Sequence, residues 1–319
     1  MKYREIFEYI ADALGADIVG VSPVSGGYMH EMFRLETNGG AYAVKVLSAE
    51  VMSRADAVEN YMRAEHLEGV LEAHGIPILR AREIGGQRMQ CVGGRYFYVF
   101  DWVDGKVLRW GDVTASHAAI AGKLLGCIHN IERHECAPER GYVNINWDDF
   151  IARADVRCPD VADAVRENLP LLREAENEYN AVLSGLPDIV TICDGDMDCK
   201  NVMWRGDEPI IIDLECLDYG SPYGEVWILA LSWAGDAVCE FDEERFRAFM
   251  DAYMSECDVE IDARALYGMG FSWLHWLEYC LRRAVGECGE DVIDMGKSES
   301  AAAIGRIKFY MGMKEKLTQ

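Results

Sequence analysis

Along residues 1–14, "MKYREIFEYIADAL", apolar side chains recur at Ile6, Phe7, Ile10 and Leu14, the spacing of one helix face, and predict an amphipathic helix. From Ile18 to Leu47 the period shortens to that of strands, broken by the turn signals "SPVSGG" and "NGG". "AYAVKVL", residues 41–47, reads as an apolar strand interrupted by one charge, Lys45. A helix is expected over roughly residues 50–74, stopped by Gly75 and Pro77. The stretches "ILRAREI" and "RMQCV" read as two strands around Gly85-Gly86, and "RYFYVFDWV" as a third after Gly93-Gly94. After a short linker, "DGK" at 104–106, helical patterns dominate: about 113–132, 147–155, 160–184, 223–235, 242–256, 262–287 and 297–317. The exception is 190–214, where "VMW", "RGDEP" and "IIID" predict a hairpin. The expected fold class is α+β. Residues 1–102 would form a small antiparallel-sheet lobe with one long helix, and residues 103–319 a larger helical lobe holding the polar hairpin. A cleft between such lobes is a natural ligand site.

Composition narrows this picture. Half of the 319 residues are hydrophobic and 27% are charged, which is ordinary for a globular chain. No apolar run approaches the roughly 18 residues that span a bilayer, and residues 1–14 carry several charges. Neither a membrane partner nor a secretory leader is expected, and the location read from this is cytoplasmic. The 11 cysteines are scattered, odd in number and without a C-x-x-C pair, so neither a disulfide framework nor a zinc site is expected. A formal charge of −24 repels nucleic acid and favours cationic partners, although it also serves as a solubility surface.

The densest chemistry lies in "ICDGDMDCKNVMW", residues 192–204, with Asp194, Asp196 and Asp198 within five positions. Carboxylates so close repel one another unless they sit in solvent or share something cationic. The hairpin would return Asp213 beside Asn201, joining an amide oxygen and a carboxylate. Such hard oxygen ligands suit Mg²⁺ together with phosphate oxygens. Asp196 would then be free to accept a proton from a hydroxyl. Each piece also has an ordinary reading, as a solvated turn or a strand-ending cap. Lys45, at an apolar strand position, needs an anionic partner if buried, and Glu59, Glu65 and Glu68 on the following helix are available. Gly26 and Gly27 offer backbone N–H groups to phosphate, or simply a hairpin turn.

Lysine on the third strand, a glutamate on the next helix, D-x4-N and a metal-binding Asp are the parts of a protein kinase. In detail the chain resembles the aminoglycoside phosphotransferase and choline kinase-like superfamily. That group writes H-G-D-x4-N, I-I-D-x-E and G-D-P followed by an acidic residue, where this chain has "DGDMDCKN", "IIDLE" and "GSPYGE". The resemblance implies a two-lobed kinase-like fold and ATP-dependent phosphoryl transfer to a hydroxyl of a small molecule. It makes Asp196 the catalytic base, Asn201 and Asp213 the Mg²⁺ ligands, Lys45 the phosphate lysine and Glu65 its partner. Phe100, Asp101, Trp102 and Val103 match the interlobe segment whose backbone meets the adenine. Since that recognition leaves no side-chain signature, ATP and GTP both stay open. Asp194 stands where the family usually has His, Glu225 where it has Asp, and His30 where it often has Asn. Asp198, Glu215, Asp218, Glu225, Trp273, Trp276 and Glu278 are candidates for the acceptor pocket. Trp273 and Trp276 share a helix face, and aromatic rings beside carboxylates suit an amine. The acceptor class is therefore cationic: aminoglycoside, aminosugar or choline-like. The alternatives are a nucleotide-holding pseudoenzyme and a kinase of a neutral or amino-acid metabolite such as homoserine.

Overall fold

The computed structural model describes residues 2–24, 29–257 and 261–318. The chain divides into two compact units, Met1–Val107 with Asn201–Asp218, and Leu108–Lys200 with Tyr219–Gln319.

The first unit is built on a five-stranded antiparallel sheet in the order Ile18–Val24, Glu31–Thr37, Gly40–Val46, Arg95–Asp101, Gln90–Val92. Strand alternation sorts its side chains between two faces. Tyr42, Val44 and Val46 join Phe97 and Val99 in a core closed by Ile6, Phe7 and Ile10 of the helix Arg4–Leu14. Lys45, between Val44 and Val46, is out of phase with that set and lies opposite Tyr98 in the sheet register. There Tyr98 packs with Tyr61 of the helix Ala57–Ala73.

The helix expected over 50–74 is two pieces, Ala49–Met52 and Ala57–Ala73. The Ser53 hydroxyl donates to Glu50 O at 2.7 Å, a local bond that competes with helix continuation. "ILRAREI" is not a strand: Leu79 N–H goes to Ile211 O at 2.9 Å and Arg82 N–H to Val99 O at 2.6 Å. Its donors are divided between two neighbours, so no ladder forms. The predicted hairpin pairs Val202–Arg205 with Glu208–Ile211, and Lys106–Val107 adds to its other edge. Ile211 N–H bonds Pro77 O at 2.8 Å, so the hairpin belongs with the N-terminal segment. A boundary at residue 102 would have assigned it to the helical part.

The second unit is mainly helical. Its longer helices are Ala115–His129, Trp147–Arg157, Pro159–Gly185, Pro222–Ala234, Glu243–Glu256, Trp273–Ala284 and Ile293–Met311. Pro222–Ala234 is buried nearly all round, as Val226, Trp227, Leu229, Ala230, Leu231 and Trp233 require. The helix expected over 262–287 breaks into Ala263–Leu266, a 3-10 segment Tyr267–Ser272 and Trp273–Ala284. Gly268 and Gly270, weak helix formers, lie in the tightened segment. Among the described residues no helix is long and apolar enough to cross a membrane.

Candidate active site

Lys45 is the charged centre of the first unit. Its side chain is 8% exposed, and its ammonium donates to Asp213 and, at 2.6 Å, to Glu215 Oε2. Burial alone would favour the neutral amine, but the two carboxylates more than offset this and hold its pKa above the ordinary value. Glu215 also accepts from Tyr61 OH at 3.0 Å and meets His30 Nε2 at 3.1 Å. Because His30 Nδ1 accepts the Ser48 N–H at 2.9 Å, it carries no proton, and the ring donates through Nε2. Burial opposes the charge of Glu215, yet His30 and Lys45 outweigh it and bring its pKa down to about 2.

Two expectations are corrected here. Lys45 pairs with Asp213 and Glu215, while Glu65 accepts from Tyr98 OH at 2.8 Å and from Met89 N–H at 3.2 Å. Glu65 lies one turn beyond Tyr61, so its carboxylate reaches Tyr98 rather than the ammonium. Glu215, taken as an acceptor-pocket candidate, is committed to Lys45, Tyr61 and His30. Asp218 likewise forms an ion pair with Arg63.

The hairpin sets the backbone of Asn201 beside the residue before Asp213: Ile212 N–H donates to Asn201 O at 2.9 Å. Asp213 adopts a left-handed backbone, φ 63°, a conformation costing a non-glycine residue about 1 kcal/mol or more. The donor set fits Mg²⁺, since an amide oxygen and a carboxylate are both hard ligands, and Lys45 is bonded to Asp213. Trp102 N–H bonds Ala41 O at 3.1 Å and Gly105 N–H bonds Val103 O at 3.0 Å. Phe100 and Asp101 end the strand before them, with Asp101 paired to Arg82. Gly26 and Gly27 lie outside the described residues.

In the second unit the strand Val190–Cys193 delivers the acidic loop. Gly195 turns the chain with φ 78°, which a side chain would strain. Its N–H donates to Glu225 Oε1 at 2.6 Å, and Glu225 Oε2 accepts from His129 Nε2 at 2.7 Å. His129 Nδ1 in turn meets Tyr253 OH at 2.9 Å. Burial disfavours the Glu225 carboxylate, but His129 and Gly195 N–H prevail and hold its pKa low. Glu225 therefore anchors the loop from within, correcting its reading as an acceptor contact. Asp194 Oδ1 accepts Asp196 N–H at 3.2 Å, a turn-forming bond. Trp233 Nε1 holds Met197 O at 2.9 Å.

Sequence reasoning missed Lys200, although its spacing from Asp196 was in view. Its ammonium lies 3.0 Å from Asp196 Oδ1 and 2.8 Å from Asp198 Oδ2, and these carboxylates hold its pKa up against partial burial. Lys200 is a cation that lets Asp196 and Asp198 sit together.

Asp196 and Asp198 border a cavity of about 360 Å³ within the second unit, walled by Trp273, Trp276, His275 and Tyr279. Ile228 and Ser232, one turn apart on the helix Pro222–Ala234, and Asp236 just past its end also line it. Trp273 Nε1 donates to Asp236 Oδ2 at 2.9 Å and Trp276 Nε1 to Glu299 Oε2 at 3.2 Å. Glu278, on the same helix, is not among the lining residues. Of the acceptor candidates, the cavity thus gathers Asp198, Trp273 and Trp276.

A family model for the phosphotransferase enzyme family matches residues 20–258, well over half of the chain. No curated protein matches the sequence. Among solved structures, a spectinomycin phosphotransferase in complex with ADP and spectinomycin shares 12% identity at a TM-score of 0.60, over 98% of this chain and 94% of the other. An amicoumacin kinase in complex with AMP-PNP and Ca²⁺ shares 12% identity at a TM-score of 0.64, over 99% and 94%. An ethanolamine kinase of Plasmodium vivax shares 15% at 0.59, over 91% and 81%. At such identities the likeness is one of fold, an α+β protein-kinase-like fold. With the family match, the chain belongs to the phosphotransferase enzyme family and is a small-molecule phosphotransferase.

Proposed function

We propose that this protein is an ATP-dependent O-phosphotransferase of the cytoplasm that moves the γ-phosphoryl group to a hydroxyl of a small cationic molecule. The observation that carries the reading is the cavity in which the loop carboxylates Asp196 and Asp198 meet the aromatic wall of Trp273 and Trp276. Carboxylates and π faces together favour an amine-bearing acceptor. The names of the fold relatives, a spectinomycin phosphotransferase and an ethanolamine kinase, agree with such a class.

In this reading Asp196 aligns the acceptor hydroxyl and receives its proton as the oxygen attacks phosphorus. Lys200, beside both loop carboxylates, orients Asp196 before the acceptor arrives. Lys45 binds nucleotide phosphate oxygens, with Glu215 holding the ammonium in place as phosphate competes for it. Asn201 and Asp213 would hold Mg²⁺. When bound, that ion neutralises charge developing on the phosphates. Glu225 and His129 fix the loop through Gly195 and touch neither reactant.

The test is acceptor-dependent ADP release from Mg·ATP across hydroxylated amines, aminosugars, aminoglycosides, amino acids and neutral sugars. Turnover confined to amine-bearing acceptors is expected. Turnover with neutral sugars and not with amines would reject the cationic class.

A further inference from the structure

Gly235 ends the helix Pro222–Ala234 in a left-handed turn, φ 107°, where a Cβ would also press on Glu240 at 3.4 Å. The turn drives the next residue, Asp236, inward: it is 5% exposed yet lines the cavity that Asp196 and Asp198 border. Its two oxygens are treated differently. Oδ2 accepts the Trp273 indole N–H at 2.9 Å, whereas Oδ1 is buried with no hydrogen-bond partner among the described residues. The Trp273 indole, Arg306 and the Ala237 backbone N–H moderate the charge, and the guanidinium of Arg306 also has other partners. Its Nε donates to Ala237 O at 2.9 Å, its Nη1 lies 3.7 Å from Glu299, and its guanidinium stacks over Trp273 at 4.4 Å.

A buried carboxylate with an unused oxygen is costly to keep. Burial pushes this carboxyl up to about 6. The fold retains it although Asn would keep the Trp273 bond without the charge. The ammonium of Lys200 is bonded to Asp196 and Asp198 rather than to Asp236. The missing partner is therefore a cation that can donate a hydrogen bond.

Resting on the phosphotransferase reading of Asp196, we propose that Asp236 is the specificity residue for the acceptor, taking an N–H of a protonated primary or secondary amine. The acceptor class narrows accordingly to amino alcohols and aminosugars. A quaternary ammonium such as choline carries charge but no N–H, and leaves Oδ1 unpartnered. A neutral polyol brings a donor without charge. Trp273 and Trp276 then wall the amine on its apolar side.

The experiment is calorimetric binding to the whole chain without nucleotide, in matched sets: ethanolamine, choline and ethylene glycol; glucosamine, N-acetylglucosamine and glucose. We expect the N–H amine to bind at least about 10-fold tighter than its partners, a factor equal to one charged hydrogen bond, and the preference to vanish in Asp236→Asn. The melting temperature of ligand-free Asp236→Asn should equal or exceed that of wild type, because the variant removes an under-paired buried charge. No amine preference in wild type, or the same preference in Asp236→Asn, would overturn the proposal. A clear fall in the ligand-free melting temperature of Asp236→Asn would also do so, by marking the carboxylate as a structural acceptor for Trp273. Binding here needs no turnover. Asp236-dependent amine binding without ADP release would count against the phosphotransferase reading and leave this assignment standing.

Discussion

An ammonium as enclosed as that of Lys45 persists because two carboxylates accept its hydrogen bonds, one of them steadied by His30. Glu215 does most to fix its position, so Glu215→Gln should weaken nucleotide binding on the order of 10-fold, the scale of one charge-assisted hydrogen bond. Glu65→Gln, at a carboxylate bonded to Tyr98 and Met89, should change it far less; titration with a fluorescent nucleotide compares the two. The pH behaviour follows from the sign of the shift. Glu215 is held near 2 in the folded chain against about 4.3 when unfolded. Its contribution to stability is complete above about pH 4.5 and lost as pH falls towards 2. The stability gap between wild type and Glu215→Gln in denaturant titrations should close over that window. That Lys45 needs an anion was legible from one charge in an apolar strand. Which anion was not, because Glu215 arrives from 170 positions away on a hairpin whose packing no local pattern encodes.

At the scale of elements, the helix Pro222–Ala234 does two jobs at its two ends. Near its start Glu225 clamps Gly195 and His129, and just past its end Gly235 turns Asp236 into the cavity. The clamp depends on length. Glu225→Asp shortens the arm by one methylene and cannot span both partners, which should cost about 1–3 kcal/mol in urea denaturation. The same change should lower turnover more than nucleotide affinity, since the loop carries Asp196. Helices with strong 3.6-residue periodicity and the hairpin were readable in the sequence. The irregular 78–84 stretch was not, since its apolar spacing is that of a strand while its hydrogen bonds are split between Ile211 and Val99. Ser53 broke a helix that periodicity alone would continue. Asp236 escaped notice because nothing in "AGDAV" marks a buried carboxylate; only the fold sets it against Trp273.

Across the whole molecule, the net charge of −24 sets a field that would draw the proposed cationic acceptor in. Raising ionic strength from about 0.01 to 0.15 M shortens the Debye length from about 30 to 8 Å, so kcat/KM for an amine acceptor should fall roughly 3- to 10-fold. A neutral acceptor should show little change. The charge sum was plain in the composition, whereas the sites where unlike charges are paired, at Lys45 and Lys200, required the folded chain. Phosphoryl transfer with Asp196 as the proton acceptor is the claim on which the remaining roles depend. Its most direct measurement is ADP release from Mg·ATP, wild type beside Asp196→Ala, with nucleotide binding followed in parallel. Wild type should release ADP only with an amine-bearing acceptor. The variant should bind nucleotide normally while turning over at least about 100-fold more slowly, the scale of general-base catalysis. Equal acceptor-dependent rates in the two proteins would contradict the assignment of Asp196 as the base.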